Sequence, residues 1–133
     1  CYRLLKKDGK LYLNFPPYNH PYGAHLSDAI GIPWVHVFFS EKTLIKSYKE
    51  LVKNLPDGKE RIDFRIGKKE DGREYFSYIN KMSIKRANRI LANSKFTVEY
   101  YSEEPLRSIF KYPARVPFLK EFLVKMVVCV LKK

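Results

Sequence analysis

Four side chains that could bind a substrate or move a proton are concentrated in one short stretch of the sequence: Tyr18, His20, Tyr22 and His25. An imidazole gains or loses its proton near neutral pH, so His20 or His25 could act as a general base toward a substrate hydroxyl or acid. An equal alternative is that both histidines only form hydrogen bonds to the loop backbone. His20 and His25 are therefore the candidates for catalysis.

Residue spacing disfavours two other kinds of site. His20, His25 and His36 are separated by five and eleven residues, so no pair has the i, i+4 spacing of helical metal ligands. We therefore predict no metal site and expect His36 to have a structural role. Ser27, His25 and Asp28 are nearly contiguous and do not form a nucleophile elbow, which gives hydrolase chemistry little support.

Composition predicts one globular domain over residues 1–133. Of the 133 residues, 45% are hydrophobic and 15% aromatic, enough for a substantial core. The longest apolar run, residues 126–131, is far shorter than the ~20 residues needed to cross a bilayer, so we expect no membrane partner. Cys1 and Cys129 form no Cys-x-x-Cys pair and suggest neither a zinc site nor a disulfide framework, which favours a cytoplasmic location.

A net charge of +12 would attract polyanions. The basic residues are nevertheless scattered and interleaved with acidic ones, as in residues 68–71, and no zinc-finger, basic-zipper or RNA-recognition pattern is present. Nucleic acid is therefore disfavoured as a partner.

Periodicity and turn residues predict alternating helices and strands. The final strand is continuously apolar, which is typical of a strand buried on both faces. The predicted elements are a helix over 3–7, a strand over 10–15, an irregular loop over 16–36, a helix from Ser40 to Asn54, a hairpin or two irregular strands within 61–79, a helix from Ser83 to about Asn93, strands over 96–101 and 126–131, and a short helix over 118–124.

Three of these segments resemble class I S-adenosylmethionine-dependent methyltransferases. The segment that leads into the fifth strand of that family typically has Arg-Val-Leu-Lys, then Pro-Gly-Gly, then an apolar strand. It is similar to residues 1–13 here, Cys-Tyr-Arg-Leu-Leu-Lys-Lys-Asp-Gly-Lys-Leu-Tyr-Leu. Here Asp8 stands in place of the proline and Lys10 in place of the second glycine. Residues 94–101 resemble the lead into the sixth strand, and residues 126–131 resemble the seventh.

The resemblance implies an α/β fold: the C-terminal part of a Rossmann-like methyltransferase sheet, with strands five, seven and six side by side and flanking helices. Residues 16–36 would then be the substrate-side loop of a small-molecule methyltransferase, and the residues that bind the substrate would be Asn14, Tyr18, His20, Tyr22 and His25. Residues 14–18, Asn-Phe-Pro-Pro-Tyr, invite comparison with the Asn-Pro-Pro-Tyr motif of amino-group methyltransferases, but Phe15 interrupts the motif.

The resemblance also implies that S-adenosylmethionine is the cofactor of the intact enzyme. No Gly-x-Gly occurs in the sequence, so we expect no cofactor binding and no activity from this chain alone. The chain begins with Cys1 and with what reads as the end of a helix, from which we expect that it was cut from a longer polypeptide. In that case the strand over 10–15 would lack one neighbour, and its exposed edge would favour self-association.

Two other classes of function remain open. One is a basic module without catalytic activity that binds nucleic acid or a protein, and the other is a structural domain with no site. The nucleic-acid surface would combine aromatic and basic side chains that stack on bases and contact phosphates: Tyr75, Phe76, Tyr78, Lys81, Lys85, Arg86 and Arg89.

Overall fold

The computed structural model describes all 133 residues and divides them into two compact units. Unit 1 consists of residues 1–20 and 82–133, and unit 2 consists of residues 21–81. The predicted single domain over 1–133 stays a prediction. Five helices and five strands follow one another along the chain: β1 Lys10–Phe15, α1 Val35–Phe38, α2 Glu41–Val52, α3 Gly58–Arg65, β2 Ile66–Lys68, β3 Glu74–Phe76, α4 Ile84–Ala92, β4 Thr97–Pro105, α5 Pro117–Leu123 and β5 Val124–Lys132.

The fold is mixed α/β, and unit 1 is built on a three-stranded antiparallel sheet of order β1-β5-β4. The last strand of the sequence therefore lies between the other two. The predicted strand over 10–15 is confirmed. The other two predicted strands are also confirmed, although both β4 and β5 are longer than expected.

One face of this sheet carries the core of unit 1. Val127, Cys129 and Leu131 alternate along β5 and are buried, and Val127 belongs to a cluster with Ile84, Ala114 and Val124. Each such aliphatic side chain stabilises the fold by about 1.5–3 kcal/mol when it leaves water. On the opposite face Val128 and Val130 are only half-buried. The prediction that this strand is buried on both faces is thus confirmed for one face only.

Helix α4 is fixed at its N-terminus by two different side chains. Ser83 is the predicted N-cap, and its Oγ accepts a hydrogen bond from the backbone amide of Arg86 at 3.1 Å. The carboxylate of Glu121, on α5, accepts the amides of Ile84 at 2.9 Å and Lys85 at 2.8 Å. Because these amides have no partner within the helix, Glu121 ties α4 to α5.

The buried side of α4 is narrower than its sequence suggests. Ile84, Ala87 and Ile90 recur at a spacing of three, which is typical of one apolar helix face. Ile84 and Ala87 are buried, whereas Ile90 is 50% exposed.

The predicted helix over 3–7 is wrong. Only a three-residue 3-10 turn, Tyr2–Leu4, forms there, and Leu5 is already extended. The ammonium of Lys133 donates a 2.6 Å hydrogen bond to the Leu5 carbonyl and lies over the Tyr2 ring. That carbonyl would otherwise accept a bond from a continuing helix, so a contact with the far end of the chain replaces the local one.

Unit 2 contains the remaining helices and a short hairpin. Helix α2 begins after Ser40, whose Oγ accepts the Thr43 amide at 3.2 Å, and it ends at Val52, two residues earlier than expected. Strands β2 and β3 pair in an antiparallel hairpin, which confirms one of the two alternatives for residues 61–79.

The first part of that region, however, is helical. Residues 61–65 lie in α3, where an ion pair between Asp57 and Arg61 at 2.7 Å supports the first turns. The apparent alternation of Ile62, Phe64 and Ile66 arises because the helix ends at Arg65 and the chain becomes extended at Ile66. A pattern of three residues across such a transition does not distinguish a strand from a helix.

Strand β1 is paired on one side only, by β5, so its other edge is open. Its side chains are largely exposed, and Tyr12 is 72% accessible to solvent. Tyr12 on β1 and Tyr100 on β4 both lie opposite Val130 of β5, on the face of the sheet that does not carry the core. An edge of this kind offers unpaired amides and carbonyls to another chain.

We predict that the chain self-associates through the β1 edge and that salt promotes the association. The +12 charge opposes close approach, and added salt screens this repulsion. Sedimentation velocity at low and high ionic strength measures the effect. Tyr12→Lys places a charge on the edge strand and should shift the chain toward monomer, whereas the matched change Tyr100→Lys on β4 should not.

A nucleic-acid module would show the opposite dependence, because polyanion binding weakens as salt rises. A chain that stays monomeric at every ionic strength, yet retains a short oligonucleotide at low salt, would contradict the edge hypothesis.

Candidate functional site

The first predicted site residues lie where β1 ends in unit 1. Asn14 is exposed near the end of the strand, and Tyr18 and His20 are half-buried beyond it. Pro17 between them is fully buried and anchors the turn. The Tyr18 amide donates to the Met82 carbonyl at 2.8 Å, and the His20 amide donates to the Pro17 carbonyl at 3.1 Å. The start of the loop is therefore held against the residue that precedes α4.

The turn after β1 lies at the end of the sheet where β1 and β4 both finish. Strands β1 and β4 are both antiparallel to β5, so they run in the same direction, and Phe15 and Glu103 both lie opposite Val127. The segments that follow β1 and β4 consequently leave from the same edge. Asn14, Tyr18 and His20 lie at this end of the sheet.

Tyr22 and His25 belong to unit 2, where the loop continues as a series of turns. Both side chains are exposed. The backbone of His25 is left-handed, with φ of 51°, a conformation that costs energy for a residue with a side chain. Backbone conformations of this kind persist only where the surroundings enforce them.

Two side chains enforce the conformation of His25 by binding its carbonyl. Arg65 Nη1 donates to the His25 oxygen at 2.8 Å, and the Tyr78 hydroxyl lies 2.9 Å from the same oxygen and 2.9 Å from the Ala24 carbonyl. The backbone of His25 is thus fixed while its imidazole remains exposed. These contacts fix the point of the loop from which the imidazole extends.

The same arginine anchors a second point of the loop. Arg65 Nη1 lies 2.8 Å from Asp28 Oδ1, and Asp28 Oδ2 accepts from Arg61 at 3.1 Å and from the Tyr48 hydroxyl at 3.2 Å. The Arg65 guanidinium also lies between two rings, 5.3 Å from the Tyr48 centroid and 5.0 Å from that of Tyr78. We call Arg65, Asp28, Tyr48 and Tyr78 the loop clamp.

Burial raises the pKa of both clamp hydroxyls. It raises the pKa of Tyr78 to about 12, although the positive charge of Arg65 opposes the rise. Burial likewise raises the pKa of Tyr48, again against the effect of Arg65. Both phenols therefore stay protonated, as hydrogen-bond donors, to a higher pH than an ordinary tyrosine does.

Sequence reasoning did not find the clamp. Asp28 was considered only as a member of a hydrolase-like set with Ser27 and His25, and its carboxylate is engaged by Tyr48, Arg61 and Arg65. Arg65 lies 40 residues beyond His25, in a segment whose helix was not predicted. The one feature of the sequence that could have indicated the clamp is Asp28, an acidic residue inside a long loop that also contains the histidines.

Two other predictions concern residues of unit 2. His36 lies in α1, next to the buried Val35, which agrees with the structural role expected for it. Phe76 is only 4% exposed, and its ring packs edge-on against Tyr48 and Tyr78. Phe76 and Tyr78, two of the aromatic residues of the suggested nucleic-acid surface, thus pack within unit 2.

No group of three or more His, Cys, Asp or Glu side chains is placed to hold a metal ion. None of the helices has the length and apolarity that a membrane span requires. No known protein family, curated protein or solved structure matches the chain.

We predict that the stability conferred by Tyr78 is lost at high pH. Its folded-state pKa of about 12 lies above the ordinary tyrosine value of about 10, so the neutral form is favoured by folding. The contribution is complete below pH 10 and disappears as the pH rises from 10 to 12. Urea unfolding across this range should show that the free energy of unfolding falls more steeply with pH for the wild type than for Tyr78→Phe. Equal slopes would mean that Tyr78 titrates normally.

Proposed function

We propose that this chain is the C-terminal, substrate-facing portion of an S-adenosylmethionine-dependent methyltransferase that acts on a small molecule. The observation that carries the proposal is the sheet order β1-β5-β4, with β5 antiparallel to both neighbours. The sequence resemblance assigns these strands as the fifth, seventh and sixth of the family and expects them side by side in that order. The observed order of the three strands therefore supports the proposal.

The position of the predicted substrate residues gives further support. The loop over 16–36 begins at the edge where β1 and β4 both end, which is the ligand side of an α/β sheet. In the proposed enzyme the exposed imidazole of His25 accepts the proton of the substrate nucleophile at a ring nitrogen, with His20 as the other candidate. Tyr18, Tyr22 and Asn14 supply hydrogen bonds that orient the substrate.

The residues of this chain do not fit the cofactor. A glycine-rich cradle needs glycines whose open side faces a ligand, whereas a Cβ at Gly9 would lie 2.9 Å from the Lys6 carbonyl oxygen and one at Gly58 only 2.0 Å from that of Val52. These two glycines face the chain's own backbone. Gly31 and Gly72 have open space beside them, but each stands alone and neither belongs to a Gly-x-Gly turn. The cofactor of the proposed enzyme would be held by other residues of the intact polypeptide.

A binding module without catalytic activity is the second candidate. Helix α4 carries Lys85, Arg86 and Arg89 and no acidic residue, and all three cations are exposed. This charge would suit a polyanion. The proposal is weaker because Phe76 and Tyr78, the aromatic part of such a surface, are engaged within unit 2.

We predict that this chain alone does not bind S-adenosylmethionine, because it has no Gly-x-Gly turn. Isothermal titration with the cofactor should show no heat of binding. Extending the reading frame upstream should reveal a strand followed by Gly-x-Gly about 80 to 100 residues before Cys1, and the longer polypeptide should bind the cofactor. Micromolar affinity of the isolated chain would refute the proposal.

A separate prediction concerns turnover by the longer polypeptide. His25→Ala should lower kcat by about 100-fold or more, the usual contribution of a general base. Tyr18→Phe should give a smaller loss, and both changes should alter stability by less than ~1 kcal/mol because the side chains lie in a loop. Tyr12→Phe, on β1 outside the loop, is the control. A lower melting temperature with unchanged turnover would assign these residues to structure.

A further inference from the structure

A cleft of about 660 Å³ opens in unit 1 between the turn after β1 and the helices α4 and α5. Its wall includes Asn19 from the loop, Lys85 and Asn88 from α4, and Arg115, Phe118 and Phe122 from the segment after β4. The volume is in the range of small-molecule sites, about 300–1,000 Å³. The cleft lies at the carboxyl edge of β1 and β4, next to Tyr18 and His20 in sequence.

Three side chains of this cleft carry acceptors, Asn19, Asn88 and Glu121, and the latter two are already engaged. Both oxygens of Glu121 accept backbone amides at the start of α4. The side-chain oxygen of Asn88 accepts the Tyr101 hydroxyl at 2.8 Å, which leaves the amide nitrogen of Asn88 as a donor. A ligand that brought its own donors would therefore find few partners.

The donors, in contrast, remain available. Lys120 is paired with Glu103 at 2.6 Å, but neither Lys85 nor Arg115 takes part in an ion pair. The Arg115 guanidinium lies 5.4 Å from the centre of the Tyr112 ring, an arrangement that leaves its N–H groups free to donate. Two exposed cations and an amide donor make the cleft suited to an anion.

The opposite wall is apolar. Phe118 is 73% exposed, and its ring lies 5.4 Å from that of Phe122, centre to centre, one turn along α5. Exposed aromatic pairs beside charged groups are typical of sites where a ligand covers them. The cleft thus combines cationic donors with an aromatic surface.

We propose that this cleft binds the carboxylate of an amphipathic organic acid whose aromatic or aliphatic body packs on Phe118 and Phe122. As the substrate class of the enzyme, this assignment rests on the function proposed above. Guanidinium and ammonium groups bind carboxylates and phosphates alike. Inorganic phosphate has no apolar body to pack on Phe118 and Phe122, so the combination of Lys85 and Arg115 with this aromatic pair favours an amphipathic carboxylate.

The test uses this chain without cofactor. Titration with 3-phenylpropionate, followed by NMR, should show saturable shifts confined to the cleft. The uncharged amide, 3-phenylpropanamide, should bind at least about tenfold more weakly because it lacks the charge, and inorganic phosphate should not compete. Lys85→Gln and Arg115→Gln should each weaken binding of the acid about tenfold. Phe118→Ala should weaken the acid and the amide alike.

Lys125→Gln is the matched control, because it removes the same charge from an exposed position on β5 outside the cleft. Absence of saturable binding, equal binding of acid and amide, or an equal effect of Lys125→Gln would overturn the inference. Its failure is distinguishable from failure of the proposed function. If the acid binds but the longer polypeptide transfers no methyl group, the binding site is supported and the proposed enzymatic activity is refuted. If the longer polypeptide transfers methyl groups but the acid does not bind in this cleft, the activity is supported and the proposed substrate class is refuted.

Discussion

Unit 1 depends on the double pairing of β5. This strand supplies hydrogen bonds to β1 on one side and to β4 on the other, and its alternate side chains Val127, Cys129 and Leu131 form the centre of the buried face. Neither flanking strand contacts the other in the sheet. Strands β1 and β4 run in the same direction because both are antiparallel to β5. The loop over 16–36 and the segment after β4 therefore leave from the same end of the sheet.

In unit 2 a single guanidinium has a comparable role. Arg65 binds the His25 carbonyl, pairs with Asp28 and lies between two tyrosine rings, so one side chain fixes two points of the loop. Charge-assisted hydrogen bonds of this kind are stronger than neutral ones, and partial burial reduces their screening by water. The left-handed backbone of His25 is held by these contacts and not by local sequence preference.

The sequence predicted the elements whose signals are local. The bounds of β1 were predicted correctly because Gly9 and the two prolines punctuate it, and α2 and α4 were found from Ser40, Ser83 and a helical apolar stripe. Helix α3 was missed because its apolar residues are few and run directly into β2. The N-terminal helix was wrongly predicted because the contact of Lys133 with Leu5 is invisible to any local pattern. The candidate site follows the same division: the histidines could be named from the loop, whereas Arg65 and the cleft donors required the tertiary structure.

The central position of β5 also has a consequence for biosynthesis. Strand β1 is complete at Phe15, but its only partner begins at Val124. At about 5–20 residues per second, roughly 5–20 s pass on the ribosome before pairing can start. During that interval the nascent chain exposes the unpaired backbone of β1 together with Leu11 and Phe15, which are half-buried in the folded protein. Such a segment is suited to transient capture by a chaperone, and the yield of folded protein should depend on how the cell protects β1 until translation reaches β5.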